Sequence, residues 1–113
     1  MILLMKKVFG LVLAICVVLT GPLMAKADGA GIFNANCVAC HAAGGNTVNP
    51  GRTLQQADLK SYLANYTTDG EAAIVAQVTN GKSPMPSFNG VLTSSEISEV
   101  ASYVESMSLK GWG

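Results

Sequence analysis

Residues 37–41 read Cys-Val-Ala-Cys-His, and this motif determines what fills the interior of the protein. Two thiols three positions apart lie on one face of a helical turn, at the separation of the two vinyl groups of a haem. Each thiol can form a thioether, and the histidine that follows can ligate the iron. The motif therefore predicts one c-type haem, held covalently by Cys37 and Cys40, with His41 as an axial ligand.

Other sites share the spacing of the two cysteines. A thioredoxin-like redox pair needs a βαβ context, and strand patterning is weak throughout the sequence. A structural zinc site needs four ligands, whereas residues 28–113 offer two cysteines and one histidine, so a carboxylate would have to complete the set. A chance match is the third alternative. Haem is favoured because a large apolar ring also supplies the core that so small a domain needs.

The second axial ligand follows from elimination. His41 is the single histidine of the sequence, which excludes two-histidine ligation within one chain. Met107 falls on a helical apolar face and is interpreted as a packing residue. Met85 lies in Ser83-Pro84-Met85-Pro86, where the prolines disfavour helix and fix the backbone on both sides. We therefore expect Met85 to ligate the iron; a surface or satellite-core contact is the alternative.

Ligation by histidine and methionine fills both axial positions of the iron. A neutral thioether favours ferrous iron and so raises the reduction potential. Substrate then has no open coordination position, and the chemistry indicated is one-electron transfer rather than turnover. A haem-based gas sensor, in which Met85 leaves the iron, is the alternative from a different functional class.

The first 27 residues have the three-part layout of a secretory signal peptide. Two lysines precede an apolar run over 8–20, and Ala25-Lys26-Ala27 offers a cleavage site. The run is shorter than the about 20 residues that span a bilayer; an uncleaved anchor helix is the alternative. We expect cleavage after Ala27 and a single exported domain over 28–113, without stable membrane insertion.

Charge excludes two classes of partner for this domain. Residues 28–113 carry seven acidic and four basic side chains, which gives a net charge of −3. Without a basic stripe, the domain lacks the electrostatic pattern of a nucleic-acid-binding protein and of a protein attracted to anionic lipid. No repeat or low-complexity tract divides the segment, and we expect a monomer.

Helical patterns separated by Gly, Pro and Asn loops predict an all-α domain of about four short helices. The first helix is expected over 29–40 with Asp28 as its N-cap, and the second over 54–66 with Thr53 as its N-cap. The third is expected over 70–80 with Asp69 as its N-cap, and the last over 94–109 with Thr93 as its N-cap. Thr93 and Glu96 form a capping box, and Asn80-Gly81 ends the third helix. The first and last helices are expected to pack on each other.

Motifs outside the haem-binding stretch resemble the cytochrome c6 family, electron carriers of cyanobacteria and algae within the class I c-type cytochromes. The segment 46–54, Asn-Thr-Val-Asn-Pro-Gly-Arg-Thr-Leu, is similar to the family's Asn-x-Val-x-Pro-x-Lys/Arg-Thr-Leu loop. The segment Gln77–Lys82 followed by Met85-Pro86, and the Gly111-Trp112 tail, also agree. The resemblance covers residues 28–113 and implies the class I cytochrome c fold, with its helices wrapped around one covalently attached haem.

The resemblance also implies partners and a location. The donor would be the cytochrome b6f complex, and the acceptor would be photosystem I, with a terminal oxidase as a possible second acceptor. The protein would work in the thylakoid lumen or the periplasm. Many cyanobacterial members have Arg before the Leu-Thr pair, whereas Val91 stands here. Because a lost positive charge weakens electrostatic steering, a specialised or respiratory c6-like cytochrome with another partner is the runner-up.

By the same resemblance, further residues are expected around the haem. Gln77 would lie near the haem edge and tune the potential; an exposed helical glutamine is the alternative. Pro50, or a neighbouring loop carbonyl, would accept a hydrogen bond from His41 and fix its orientation. The residues expected at the haem propionates are Arg52 and, as weaker candidates, Asn46 and Lys82.

Overall fold

The computed structural model describes residues 28–113, so the signal peptide expected over 1–27 lies outside the described residues. Within 28–113 the elements are α1 Gly29–Asn36, α2 Val38–His41, a 3-10 turn Ala42–Gly44, α3 Gln56–Tyr62, α4 Tyr66–Asp69, α5 Glu71–Asn80 and α6 Ser94–Leu109. The all-α class is confirmed. The expected number of about four helices is too low, because backbone breaks divide two of them.

The first break falls at the haem-binding motif. Asp28 caps α1 as expected, since its Oδ1 accepts a hydrogen bond from the Ala30 amide at 3.1 Å. The helix then ends before Cys40, because Cys37 leaves helical geometry with φ −119°. The Cys37 amide still donates to the Phe33 carbonyl at 2.8 Å. The haem-binding motif therefore remains hydrogen-bonded to the end of α1 but forms a separate helical turn, α2.

The second expected helix is shorter at both ends. Thr53 does not cap it: its Oγ1 accepts from the amide of Gln55, which precedes the helix, at 3.1 Å, and its hydroxyl and amide donate to Asp58 Oδ2 at 2.6 and 2.9 Å. Gln55 takes the N-cap position instead. At the other end, Asn65 adopts a left-handed conformation with φ +64° and separates α3 from α4. The expectation of one helix reaching Tyr66 is therefore wrong.

The third expected helix has the predicted end and a different start. Asp69 is the last residue of α4, and Gly70 occupies the N-cap of α5. Gly81 ends α5 as expected, with its amide donating to the Gln77 carbonyl at 2.7 Å. This end matters for function, because the loop that carries Met85 begins here.

The C-terminal helix α6 has the predicted start. Thr93 Oγ1 accepts from the Glu96 amide at 3.1 Å, and Glu96 Oε1 accepts from the Thr93 amide at 3.0 Å, which together make the capping box. The helix packs on both α1 and α5. A Cβ at Gly29 would collide with the Glu99 carbonyl, so the backbones of α1 and α6 approach closely. The expected pairing of first and last helices is confirmed.

The core is built from ten buried side chains on five of the helices. They are Phe33, Leu59, Tyr66, Ala73, Ile74, Val78, Ile97, Val100, Ala101 and Val104. None of the helices within 28–113 is both long and apolar enough to cross a bilayer.

Candidate haem site

A cavity of about 350 Å³ opens into one side of the core. Most of its lining surface is apolar, and six of the buried core side chains contribute to it, namely Phe33, Leu59, Ile74, Val78, Val100 and Val104. Protein interiors are close-packed, and spaces much larger than a water molecule are few. A cavity of this size, lined in this way, is suited to a large apolar ligand.

Cys37, Cys40 and His41 all line this cavity. Cys37 is half-buried at the junction of α1 and α2, Cys40 is exposed, and the two thiols are not joined in a disulfide. Burial raises the pKa of the Cys37 thiol, and the neighbouring Cys40 raises it further. Reactive redox thiols have a lowered pKa. Cys37 therefore lacks the lowered pKa of a reactive redox thiol.

The His41 ring is held by the turn that follows it. His41 Nδ1 lies 2.8 Å from the Gly45 carbonyl. Because a carbonyl only accepts, Nδ1 carries the proton and Nε2 is left as the nitrogen able to ligate a metal. Of the two expected acceptors, Pro50 or a neighbouring loop carbonyl, the structure places a loop carbonyl next to the ring, that of Gly45; Pro50 is exposed and is not among the residues that line the cavity. The 3-10 turn Ala42–Gly44 brings the Gly45 carbonyl back to the histidine instead.

Met85 reaches the same cavity from the loop after α5. The Lys82 amide donates to the Met85 carbonyl at 3.0 Å, and the Met85 amide donates to the Lys82 carbonyl at 2.7 Å. These two bonds close a tight turn and fix the backbone of the methionine. Gln77, on α5, places its Nε2 3.9 Å from Met85 Sδ, within reach of a weak hydrogen bond to sulfur.

Arg52 and Lys82 both lie at the cavity with exposed side chains. The Arg52 guanidinium stacks over the Tyr62 ring, with its carbon 4.7 Å from the ring centroid. This contact is a cation–π interaction, and it keeps the positive charge beside the cavity. Either cation is therefore available to an acidic group at the edge of a ligand.

Asn46 also lines the cavity, but its amide is engaged by its own loop. Its Nδ2 donates to the Arg52 carbonyl at 2.9 Å, while its Oδ1 accepts from the amides of Val48 and Asn49 at 3.1 and 2.9 Å. The side chain thus ties together the two ends of the segment 46–52. Its main work is to shape the loop, which leaves one N–H for a ligand.

The residues present fit a covalently attached haem. Two thiols and an imidazole come from one motif, a thioether comes from the loop after α5, and all four share one apolar cavity. Sequence reasoning identified these four from residue type and spacing. It left the acceptor for His41 open between Pro50 and a neighbouring loop carbonyl, and did not name Gly45, although the Gly44-Gly45 pair directly after the motif indicated an unusual backbone there.

Comparison with known proteins identifies the family. The model of the family described as cytochrome c oxidase, cbb3-type, subunit III, matches residues 25–104. Cytochrome c6 of Limnospira maxima is 48% identical over 86 residues, covering 76% of this chain and 97% of that protein. The chain belongs to the cytochrome c6 family.

Two solved structures agree with cytochrome c6 membership. Cytochrome c6 of the diatom Phaeodactylum tricornutum superposes with a TM-score of 0.71 at 49% identity, covering 74% of this chain and 94% of that one. Cytochrome c6C of a Synechococcus species superposes with a TM-score of 0.65 at 38% identity, covering 73% and 95%. The class I cytochrome c fold is confirmed. The protein is a c-type cytochrome with one covalently bound haem c, an electron carrier rather than an enzyme.

Proposed function

We propose that this cytochrome carries single electrons from the cytochrome b6f complex to photosystem I, with a terminal oxidase as a second acceptor. In this proposal the haem is bound through Cys37 and Cys40, and His41 and Met85 are the axial ligands. The observation that carries it is that these four side chains, brought from two distant segments, line one apolar cavity. A signal peptide over 1–27 would deliver the protein to the thylakoid lumen or periplasm.

The surrounding residues hold the two proposed ligands in fixed positions. Bound haem supplies reversible one-electron exchange at iron. The Gly45 carbonyl orients the His41 ring, and the paired backbone bonds between Lys82 and Met85 hold the thioether. Fixed ligands on both sides favour rapid electron transfer, because little rearrangement accompanies a change in charge.

The mouth of the cavity offers an apolar surface for a partner. Val48 and Tyr62 both line the cavity, yet they are 61% and 49% exposed. Exposed apolar side chains next to a redox site suit the small, short-lived contacts of electron-transfer complexes. Arg52 and Lys82 are exposed at the same cavity, within a domain that carries seven acidic and four basic side chains over 28–113.

Flash kinetics with isolated photosystem I tests the acceptor. The reduced holoprotein should re-reduce the flash-oxidised reaction centre at a rate that rises with cytochrome concentration and then saturates. A parallel assay with terminal oxidase measures the second acceptor. Failure to reduce photosystem I, together with rapid oxidation by the oxidase, would contradict the photosynthetic assignment and leave a respiratory carrier.

A specialised c6-like cytochrome with another partner is the second candidate. Val91 favours it, because this position is 65% exposed and carries an apolar side chain where many cyanobacterial members have Arg. A redox titration of the holoprotein separates the two candidates. A high potential fits donation to photosystem I, whereas a low potential favours the specialised role.

A further inference from the structure

We propose that Trp112, at the C-terminus, is a positioning residue for His41 and acts through Leu54 and the Gly44-Gly45 turn. The inference rests on the proposed role of His41 as an axial ligand. It concerns a residue outside the cavity: Trp112 is not among the residues that line it.

Trp112 is fixed in place by the end of α6 and by aromatic neighbours. Its amide donates to the Met107 carbonyl at 2.9 Å, and the Gly111 amide donates to the Ser108 carbonyl at 3.2 Å. This pair of bonds is a Schellman closure of the helix. Trp112 itself has φ +65°, a conformation that costs energy in a residue with a side chain and persists only where surroundings impose it. Its ring centroid lies 5.3 Å from that of Phe33.

The indole joins two backbone segments next to the haem-binding motif. Trp112 Nε1 donates to the Leu54 carbonyl at 2.9 Å, and the Leu54 amide donates to the Gly44 carbonyl at 2.7 Å. Gly44 is buried with φ +76°, and a Cβ there would collide with the indole ring. The ring therefore rests directly on the Gly44 backbone, and only glycine fits both the conformation and the contact.

The contact reaches His41 in one further step. Gly45 follows Gly44 and supplies the carbonyl that accepts from His41 Nδ1 at 2.8 Å. The Gly45 amide is tied back to the Ala42 carbonyl at 3.0 Å. A shift of Gly44 must therefore move the Gly45 carbonyl and loosen the hydrogen bond to the ring. A histidine that loses such an acceptor becomes a weaker electron donor to its metal.

The Trp112→Phe variant of the holoprotein tests the proposal. Phenylalanine keeps an aromatic ring in the cluster and removes the Nε1–H donor to Leu54. We expect the His41 Nδ1–H to exchange with solvent several-fold faster in nitrogen-15 NMR. We also expect the reduction potential to rise, because a weaker donor stabilises the oxidised state less. An unchanged exchange rate or an unchanged or lowered potential would overturn the proposal.

Two control variants separate positioning from loss of stability. Tyr103→Phe alters a ring 6.1 Å from the Trp112 ring and leaves the indole hydrogen bond in place. Thr93→Ala weakens α6 at its other end, away from the His41 turn. Both controls should keep the wild-type potential. If either raises the potential as much as Trp112→Phe does, the effect is one of stability and the proposal fails.

A measurement on the wild type guards against a variant that fails to fold. Native-state hydrogen exchange in low urea should show the His41 Nδ1–H and the Trp112 Nε1–H opening with the same urea dependence, as one local unit. Different dependences would overturn the inference. If the wild-type spectrum lacks a hyperfine-shifted His41 ring, His41 is not a ligand, and the proposed function fails instead.

Discussion

At the scale of single residues, the contact between Gln77 and Met85 is open to direct test. The Gln77 Nε2 lies 3.9 Å from the Met85 sulfur, so the positive end of an N–H dipole faces the proposed ligand. A positive dipole end disfavours the more positive oxidation state of the metal. The Gln77 amide is therefore expected to raise the reduction potential of the site.

We predict that Gln77→Val lowers the reduction potential. A preference of about 1 kcal/mol for the reduced state corresponds to roughly 40 mV for a one-electron couple, and this contribution is lost in the variant. A redox titration of the holoprotein measures the change. Asn80→Val, at the exposed end of the same helix, is the matched control and should keep the wild-type potential. A potential that rises in Gln77→Val would contradict the dipole argument.

The residues of the candidate site differ in how far sequence can predict them. Cys37, Cys40 and His41 form one local motif whose spacing follows from the chemistry of attachment. Met85 was predicted as the second ligand by elimination, since the sequence has a single histidine and so cannot supply a second imidazole. A loop carbonyl was among the expected acceptors for His41, but the sequence did not single out that of Gly45, because a backbone acceptor carries no side-chain signature and depends on the 3-10 turn before it.

At the scale of helices, side-chain hydrogen bonds mark the starts of α1, at Asp28, and of α6, at Thr93. The capping box of Thr93 and Glu96 is complete within four residues, so the sequence predicted it correctly. Thr53 has the same kind of side chain, but the helix begins two residues later than expected: its Oγ1 accepts from the Gln55 amide, and its hydroxyl and amide donate to Asp58 in the first turn. The left-handed Asn65 and the break at Cys37 are backbone features of single positions, which hydrophobic periodicity does not encode.

We predict that Thr93→Ala destabilises the holoprotein by about 1 kcal/mol, the usual cost of losing a polar N-cap. Urea unfolding followed by circular dichroism measures the free energy of unfolding. Ser95→Ala, at the exposed second residue of α6, is the control and should be neutral or slightly stabilising. Equal stability of Thr93→Ala and wild type would show that the cap is unimportant.

Asp58 gives α3 a pH dependence. Its hydrogen bonds from the Thr53 hydroxyl and amide lower the pKa of the Asp58 carboxyl. A lowered pKa means that the stabilisation is complete above the ordinary aspartate pKa of about 3.9 and is lost as pH falls through the folded-state pKa. The ionised carboxylate therefore stabilises the start of α3 at neutral pH.

We predict that Asp58→Asn lowers the urea midpoint at pH 6 and that its difference from wild type shrinks towards zero as pH falls below about 4. Urea midpoints measured for both proteins across this range provide the test. Asp69→Asn, an exposed aspartate in α4, is the control. A difference that stays constant with pH would exclude the carboxylate as its source.

At the scale of the whole molecule, charge and exposed surface govern the encounter with a partner. Residues 28–113 carry a net charge of −3, from seven acidic and four basic side chains. Val91 is 65% exposed and adds no charge of its own. Electrostatic steering raises association rates and is suppressed by salt. Because the surface at Val91 is uncharged, we expect the rate of reaction with photosystem I to depend only weakly on ionic strength.

We predict that Val91→Arg speeds the reaction with photosystem I several-fold at low salt and that the gain disappears at high salt. Flash kinetics at two ionic strengths gives the rates. Val91→Gln, which adds a polar side chain without charge, is the matched control. Identical rates for Val91→Arg and wild type at low salt would dispose of the steering argument.

Attachment of the haem through two cysteines is the claim on which the site, the proposed function and the role of Trp112 all depend. Denaturing mass spectrometry of a tryptic digest tests it most directly, because the fragment ending at Arg52 contains both Cys37 and Cys40. For protein exported to an oxidising compartment, this fragment should carry the added mass of one haem, and the Cys37→Ser, Cys40→Ser double variant should carry none. A folded wild-type protein whose fragment has the unmodified mass would contradict the account.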